Sequence, residues 1–188
     1  VSAACGGTDC NDLDPSIHPG TPDPYEGVDT WVTTVDPGGN HGTDVSAATD
    51  AAGAVHAAWY PAERRYLESA TDAAGPWEVA VVDTDGDVGS QPALALDAAG
   101  RVHVAYRDVT NQRLKYATNR GGDWTVSVAV PRPGTNTVGD GLALAVDGNG
   151  TVHLVFRNST TNGLFHAFHA GAGWSTPQSV ESGGISPS

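Results

Sequence analysis

Residues 9 to 29 carry a dense set of hard oxygen donors. With Asp12 as the first ligand, Asp14, Ser16 and Asp23 fall at positions 3, 5 and 12 of an EF-hand-like loop, and the His18 carbonyl falls at position 7. Asp9 adds a further carboxylate just upstream. Oxygen donors of this kind suit Ca2+ better than a soft metal. The ion would order the loop, because Asp9, Asp12 and Asp14 repel one another at close range without it. Three features depart from an EF-hand. Ile17 stands where the turn wants Gly, Asp23 replaces the longer Glu, and no helical pattern flanks the loop. The alternative is a solvated acidic linker with a Pro-rich tail. A second run, Asp83-Thr84-Asp85-Gly86-Asp87, has a similar look, but Asp and Gly dominate ordinary turns and a turn is the favoured reading.

Two other sets of residues suggest chemistry. His56, His103 and His153 recur at matching places in the chain and suggest a metal or catalytic centre. Matching places in successive repeat units lie too far apart for one ion, so packed histidines bonded to a neighbouring strand are the favoured reading. Trp59, Tyr106, Arg107, Phe156 and Arg157 pair aromatic rings with guanidinium groups. Such pairs could line a sugar site, the ring stacking on a pyranose and Arg donating to hydroxyls. Packing between repeat units, with Arg reaching outward, is the favoured alternative. No Gly-x-Ser-x-Gly, His-Glu-x-x-His or phosphate-binding Gly loop is present, so the reading leans away from an enzyme and leaves the question open.

The elements that hold these residues come in repeats. Trp31, Trp77, Trp124 and Trp174 are spaced 46, 47 and 50 residues apart. Between them Asp50-Ala51-Ala52-Gly53-Ala54-Val55-His56 returns as Asp97-Ala98-Ala99-Gly100-Arg101-Val102-His103 and as Asp147-Gly148-Asn149-Gly150-Thr151-Val152-His153. A period of about 40–50 residues marks a propeller or solenoid, in which each unit buries its faces on its neighbours. In the second unit four strands are predicted, at 93–96, 101–107, 114–118 and 124–130. In the second of them Val102, Val104 and Tyr106 alternate with His103, Ala105 and Arg107, a period of two. Asp and Gly at the two ends of Asp97-Ala98-Ala99-Gly100 suit a tight hairpin turn. The fold class is all-β, with four-stranded propeller-type blades: about three complete ones, and partial strands at each end. The division read from this pattern is an acidic loop at 1–30, then blades at 31–188. Their repeats are 31–76, 77–123 and 124–173, with a partial unit at 174–188.

The strings Gly86-Asp87-Val88-Gly89, Ala93-Leu94-Ala95-Leu96-Asp97, Gly100-Arg101-Val102-His103-Val104-Ala105-Tyr106 and Leu114-Lys115-Tyr116-Ala117 resemble a blade-type repeat of secreted bacterial proteins, notably of myxobacteria. The resemblance covers 31–188 and implies a propeller architecture without a single activity. Gly6 to Asp29 resembles an Asp-rich metal-binding motif of secreted bacterial proteins, with Tyr25 where that motif has Cys. Both resemblances imply a secreted or surface-displayed bacterial protein.

Formal charge is −13, and the first Lys or Arg is Arg64. Such a surface repels nucleic acid, whose binding rests on Lys and Arg. No apolar run is long enough to span a bilayer as a helix. Cys5 and Cys10 are close enough in sequence to form a disulfide. Met is absent, so Val1 is not a translational start and the chain is read as a processed or excised piece. The pattern begins and ends on a fourth strand, and three blades do not close a ring of about four or more. Self-association, or further blades of a longer parent, is therefore expected at each end. Three functions fit. The first is a calcium-binding, non-catalytic module for binding or assembly. The second is a lectin-like propeller that takes glycans and closes by oligomerisation. The third is a fragment of a sialidase- or lyase-like enzyme.

Overall fold

The structure is a computed structural model that describes residues 35–36, 43–132 and 138–181. All of these belong to the unit Val35–Ser188. The acidic loop, with Asp9, Asp12, Asp14, Ser16, His18 and Asp23, lies outside the described residues, as do Cys5 and Cys10.

The described residues form an all-β structure without helices. The first sheet holds β1 (Asp44–Thr49), β2 (Val55–Tyr60), β3 (Leu67–Thr71) and β4 (Glu78–Asp83). The second holds β5 (Val88–Leu96), β6 (Val102–Asp108), β7 (Arg113–Gly121) and β8 (Asp123–Val130). The third holds β9 (Val138–Val146), β10 (Val152–Asn158), β11 (Gly163–His169) and β12 (Gln178–Glu181). Each is a four-stranded antiparallel meander in chain order, as a propeller blade requires. The sheets are offset from the Trp-to-Trp repeats. Trp77 and Trp174 stand just before a fourth strand and Trp124 lies within one, so a unit counted from Trp cuts each sheet before its last strand. Residues 174–181 accordingly complete the third sheet rather than start another.

The hairpin between the first two strands of every sheet is built by one Asp. Asp50 Oδ1 accepts from the Ala52 and Ala54 N–H groups, both at 2.9 Å, and Gly53 takes φ of 90°. Asp97 and Asp147 repeat these bonds in the other two sheets. The side chain thus satisfies turn N–H groups that the ladder leaves unpaired.

Packing occurs at two seams. In the first, Ala58, Leu67 and Val82 of one sheet meet Val88, Leu94, Val102, Val104 and Tyr106 of the next. In the second, Ala105, Leu114, Tyr116, Ala129 and Val130 meet Val152, Leu154, Phe156 and Ala167. The middle sheet is covered on both faces, so Val102 through Tyr106 on β6 are all buried. On β10 burial alternates: Val152, Leu154 and Phe156 are enclosed while Val155 is half-buried and Arg157 is exposed. Seam contact is close. A Cβ on Gly89 would stand 2.9 Å from the Leu67 backbone, and its φ of 108° also favours glycine. Side chains of one sheet also bond backbone of the next: Asp44 accepts from Gln91 N–H at 2.9 Å and Ser46 from Leu94 N–H at 3.0 Å.

The two seams differ in chemistry as matched sets. Asp83 pairs with Leu67 in register, and Val130 pairs with Leu114, so Asp83 and Val130 hold the same place in their sheets. Asp83 accepts from the Tyr106 hydroxyl at 2.6 Å and pairs with Lys115 Nζ at 2.5 Å. Opposite Val130, the corresponding places hold Phe156 and Phe165, stacked at 5.8 Å. One seam is closed by a buried polar triad and the other by an apolar one.

Candidate functional site

The second residue of each second strand is a histidine that faces the Asp of its own hairpin turn. Nε2 faces Asp Oδ2 at 3.4 Å for His56–Asp50, 3.5 Å for His103–Asp97 and 3.7 Å for His153–Asp147. Backbone donors keep these carboxylates ionised. The Ala54 N–H does most to hold Asp50 below its ordinary range, and the Thr151 N–H does so for Asp147. For Asp97, burial works upward but is outweighed by the Arg101 and Ala99 N–H groups and the Arg101 side chain. An ionised carboxylate only accepts, so it fixes the ring proton on Nε2 and leaves Nδ1 as an acceptor.

What meets Nδ1 differs in each sheet. His103 Nδ1 accepts from the Tyr116 hydroxyl at 2.5 Å. His153 Nδ1 lies 3.1 Å from His166 Nε2, the two rings stacked at 5.3 Å. His56 Nδ1 is buried and has no hydrogen-bond partner among the described residues. The residue in the position of Tyr116 and His166 is Ser69, whose hydroxyl turns back to the Ala57 carbonyl at 2.9 Å. Serine is too short to reach the imidazole, and a cavity of about 260 Å³ remains at the seam. Its walls include His56, Ser69, Thr71 and Glu78 from the first sheet and Asn119 and Trp124 from the second. Trp124 is half-buried and packs on the core of this seam. In the other seam Tyr116 occupies the corresponding space, its ring meeting the Trp174 edge at 5.3 Å.

This recess is chemically simple. It offers an indole, an imidazole acceptor, hydroxyls and a carboxylate. It brings together no nucleophile activated by a base. The histidines are packed residues, as the sequence suggests, with the added role of the turn Asp. The gap at His56 was not legible from the repeat, because its cause lies on another strand. The signal was available as Ser69, Tyr116 and His166, three unlike residues at one register position beside a histidine present in every copy.

The aromatic residues considered for sugar stacking lie elsewhere. Tyr106 is 0% exposed, Phe156 2% and Trp59 6%, so their rings present no open face. Tyr106 and Phe156 point into the sheet-to-sheet packing because their place on the second strand faces the preceding unit. Arg107 is half-buried, and Arg157 is exposed and donates to the Asn162 side-chain carbonyl. In the run from Asp83 to Asp87 the carboxylates serve protein partners. Asp83 takes Tyr106 and Lys115, Asp87 accepts from the Tyr60 hydroxyl at 2.7 Å, and Asp85 lies 3.6 Å from Lys115.

These groups set a pH dependence of stability. Burial pushes His103 below its ordinary range, against the pull of Asp97. The unfolded chain therefore takes this proton first. Stability is full above the ordinary histidine value of 6.5 and declines as pH falls through it. Asp50, Asp97 and Asp147 are also depressed, so a second loss follows as pH falls below the ordinary carboxylate value of 3.8. Burial and Asp87 raise Tyr60 to about 12 from the ordinary 10.0. Its contribution is complete below 10.0 and is lost as pH rises toward 12. Melting temperature across this range is expected to peak between neutrality and mild alkalinity. A curve that is flat between pH 7 and pH 5 would contradict the His103 assignment, since the ordinary histidine value of 6.5 places the change there.

No protein-family model matches this chain. No curated protein matches it either. Among solved structures, a fucose lectin from Kordia zhangzhouensis, in complex with methyl-fucoside, is similar over 70% of this chain and 95% of the lectin chain. The sequence identity is 16% and the TM-score 0.48.

Proposed function

We propose that this chain is a non-catalytic, carbohydrate-binding module of propeller-type blades, holding one sugar ring between the first and second. The observation that carries this reading is the His56 Nδ1 atom. It is a buried acceptor without a partner among the described residues, on the wall of a cavity shared with Trp124. Buried polar atoms are satisfied in nearly all native structures, so an orphan beside a cavity marks a place for a ligand or bound water. Indole supplies an apolar plane for the C–H face of a pyranose, and Thr71 and Asn119 supply polar edges. The volume of about 260 Å³ lies below the usual range for drug-sized ligands, which favours a single ring over a longer chain.

The test is a calorimetric titration with methyl glycosides of neutral hexoses and deoxyhexoses. Saturable binding is expected, weakened by at least about tenfold in Trp124→Ala and in His56→Phe. No binding of any glycoside at millimolar concentration would overturn the reading.

Self-association, or covering by further blades, is a second reading supported by one comparison. Leu67 and Leu114 are 0% exposed where a following sheet covers them, whereas Leu164, at the same register place in the last sheet, is 36% exposed. Mass measurement in solution tests whether a second copy supplies the cover. The acidic loop enters this account as a calcium-ordered spacer of a secreted bacterial protein, supported by its oxygen-donor spacing alone.

A further inference from the structure

We infer that the second seam is a closed copy of the ligand site, plugged by Tyr116, and that a ligand hydroxyl donates to His56 Nδ1 as the Tyr116 hydroxyl donates to His103 Nδ1. This rests on the carbohydrate reading and sharpens it, because it names Ser69 as the residue that decides whether a seam is open and a neutral hydroxyl donor as the group recognised.

The correspondence is residue by residue. Tyr116 lies opposite Ala105 on the middle sheet, and Ser69 lies opposite Ala58 on the first. Each follows its histidine by 13 residues. Trp174 flanks Tyr116, and Trp124 flanks the open cavity. The second seam therefore shows what a filled site looks like: a flat six-membered ring against the Trp, with its hydroxyl on the imidazole. A pyranose carries the same pair of features.

The hydrogen-bond inventory sets the ligand class. His56 Nε2 faces the Asp50 carboxylate, so in the neutral ring the proton sits on Nε2 and Nδ1 accepts. A carboxylate or phosphate oxygen brings no proton to it. Glu78 on the cavity wall also opposes an anion. The site thus selects neutral sugars over uronic acids and sugar phosphates.

The experiment is titration of wild type, Ser69→Tyr and Ser69→Ala with a neutral methyl hexoside and with the corresponding methyl hexuronate. Wild type and Ser69→Ala are expected to bind the hexoside alike, since both leave the cavity open. Ser69→Tyr is expected to lose measurable binding while melting no lower than wild type, because the new phenol fills the cavity and satisfies Nδ1. Should Ser69→Tyr fail to fold, Ser69→His repeats the test with the residue the third sheet uses at this place. The hexuronate is expected to bind at least about tenfold more weakly than the hexoside. Unchanged hexoside binding in the plugged variant, or equal binding of both sugars by wild type, overturns this inference and leaves a carbohydrate site elsewhere. If wild type binds no sugar, the broader reading fails and this one with it.

Discussion

Replacing Asp83 with alanine is expected to destabilise the protein by about 3–5 kcal/mol, the cost of leaving a buried charge without its partner. Lys115 and Asp83 side chains are each 5% exposed, and their closest atoms are 2.5 Å apart. The substitution strands the ammonium group and also removes the acceptor of the Tyr106 hydroxyl. Asp85 is the remaining carboxylate within reach, at 3.6 Å, but it is 80% exposed and its attraction is weakened by solvent. The second seam supplies a sharper comparison. There the same three places hold Val130, Phe156 and Phe165, so a triple variant with Asp83→Val, Tyr106→Phe and Lys115→Phe copies a solution the protein already uses. Replacing a whole buried ionic set by apolar groups of fitting shape is often neutral or stabilising. Urea unfolding of the single and triple variants measures both. A loss under about 1 kcal/mol for Asp83→Ala would show that the pair is solvated rather than enclosed.

The second large effect separates two leucines with one place in the repeat. Leu114→Ala is expected to cost about 2–5 kcal/mol, the range for emptying a packed site. Leu114 is 0% exposed among Ala129, Val130 and the apolar wall of the next sheet. Leu164→Ala is expected to cost less than about 1 kcal/mol, because at 36% exposure much of its surface is already in water. Denaturant midpoints at equal slope give the difference directly. Equal losses at the two positions would mean that the last sheet is covered as fully as the others, by a second copy or by residues beyond those described.

Much of the architecture is legible in the sequence, for a physical reason. Val102, Val104 and Tyr106 alternate with His103 and Ala105 because successive side chains on a strand face opposite sheets, and the Asp-x-x-Gly string marks the hairpin because a carboxylate must satisfy its N–H groups. The phase of the sheets is legible too: Trp124 opens the predicted fourth strand at 124–130, and in the first sheet Glu78–Asp83, just after Trp77, pairs back onto Leu67–Thr71 in the same way. The sequence leaves sugar stacking and packing both open for Tyr106 and Phe156. Periodicity gives Tyr106 and Phe156 one face of a strand without saying that this face looks into a seam. The residue that opens the seam, Ser69, is small and unremarkable by itself. It gains meaning only through register with Ala58 and through the missing partner of His56.

The most direct test is a crystal structure of the chain with a neutral methyl glycoside at saturating concentration. The account predicts one sugar ring between the first and second sheets, its face on Trp124 and one hydroxyl within hydrogen-bond distance of His56 Nδ1. A sugar bound only on outer loops, or an unliganded seam under those conditions, would contradict it.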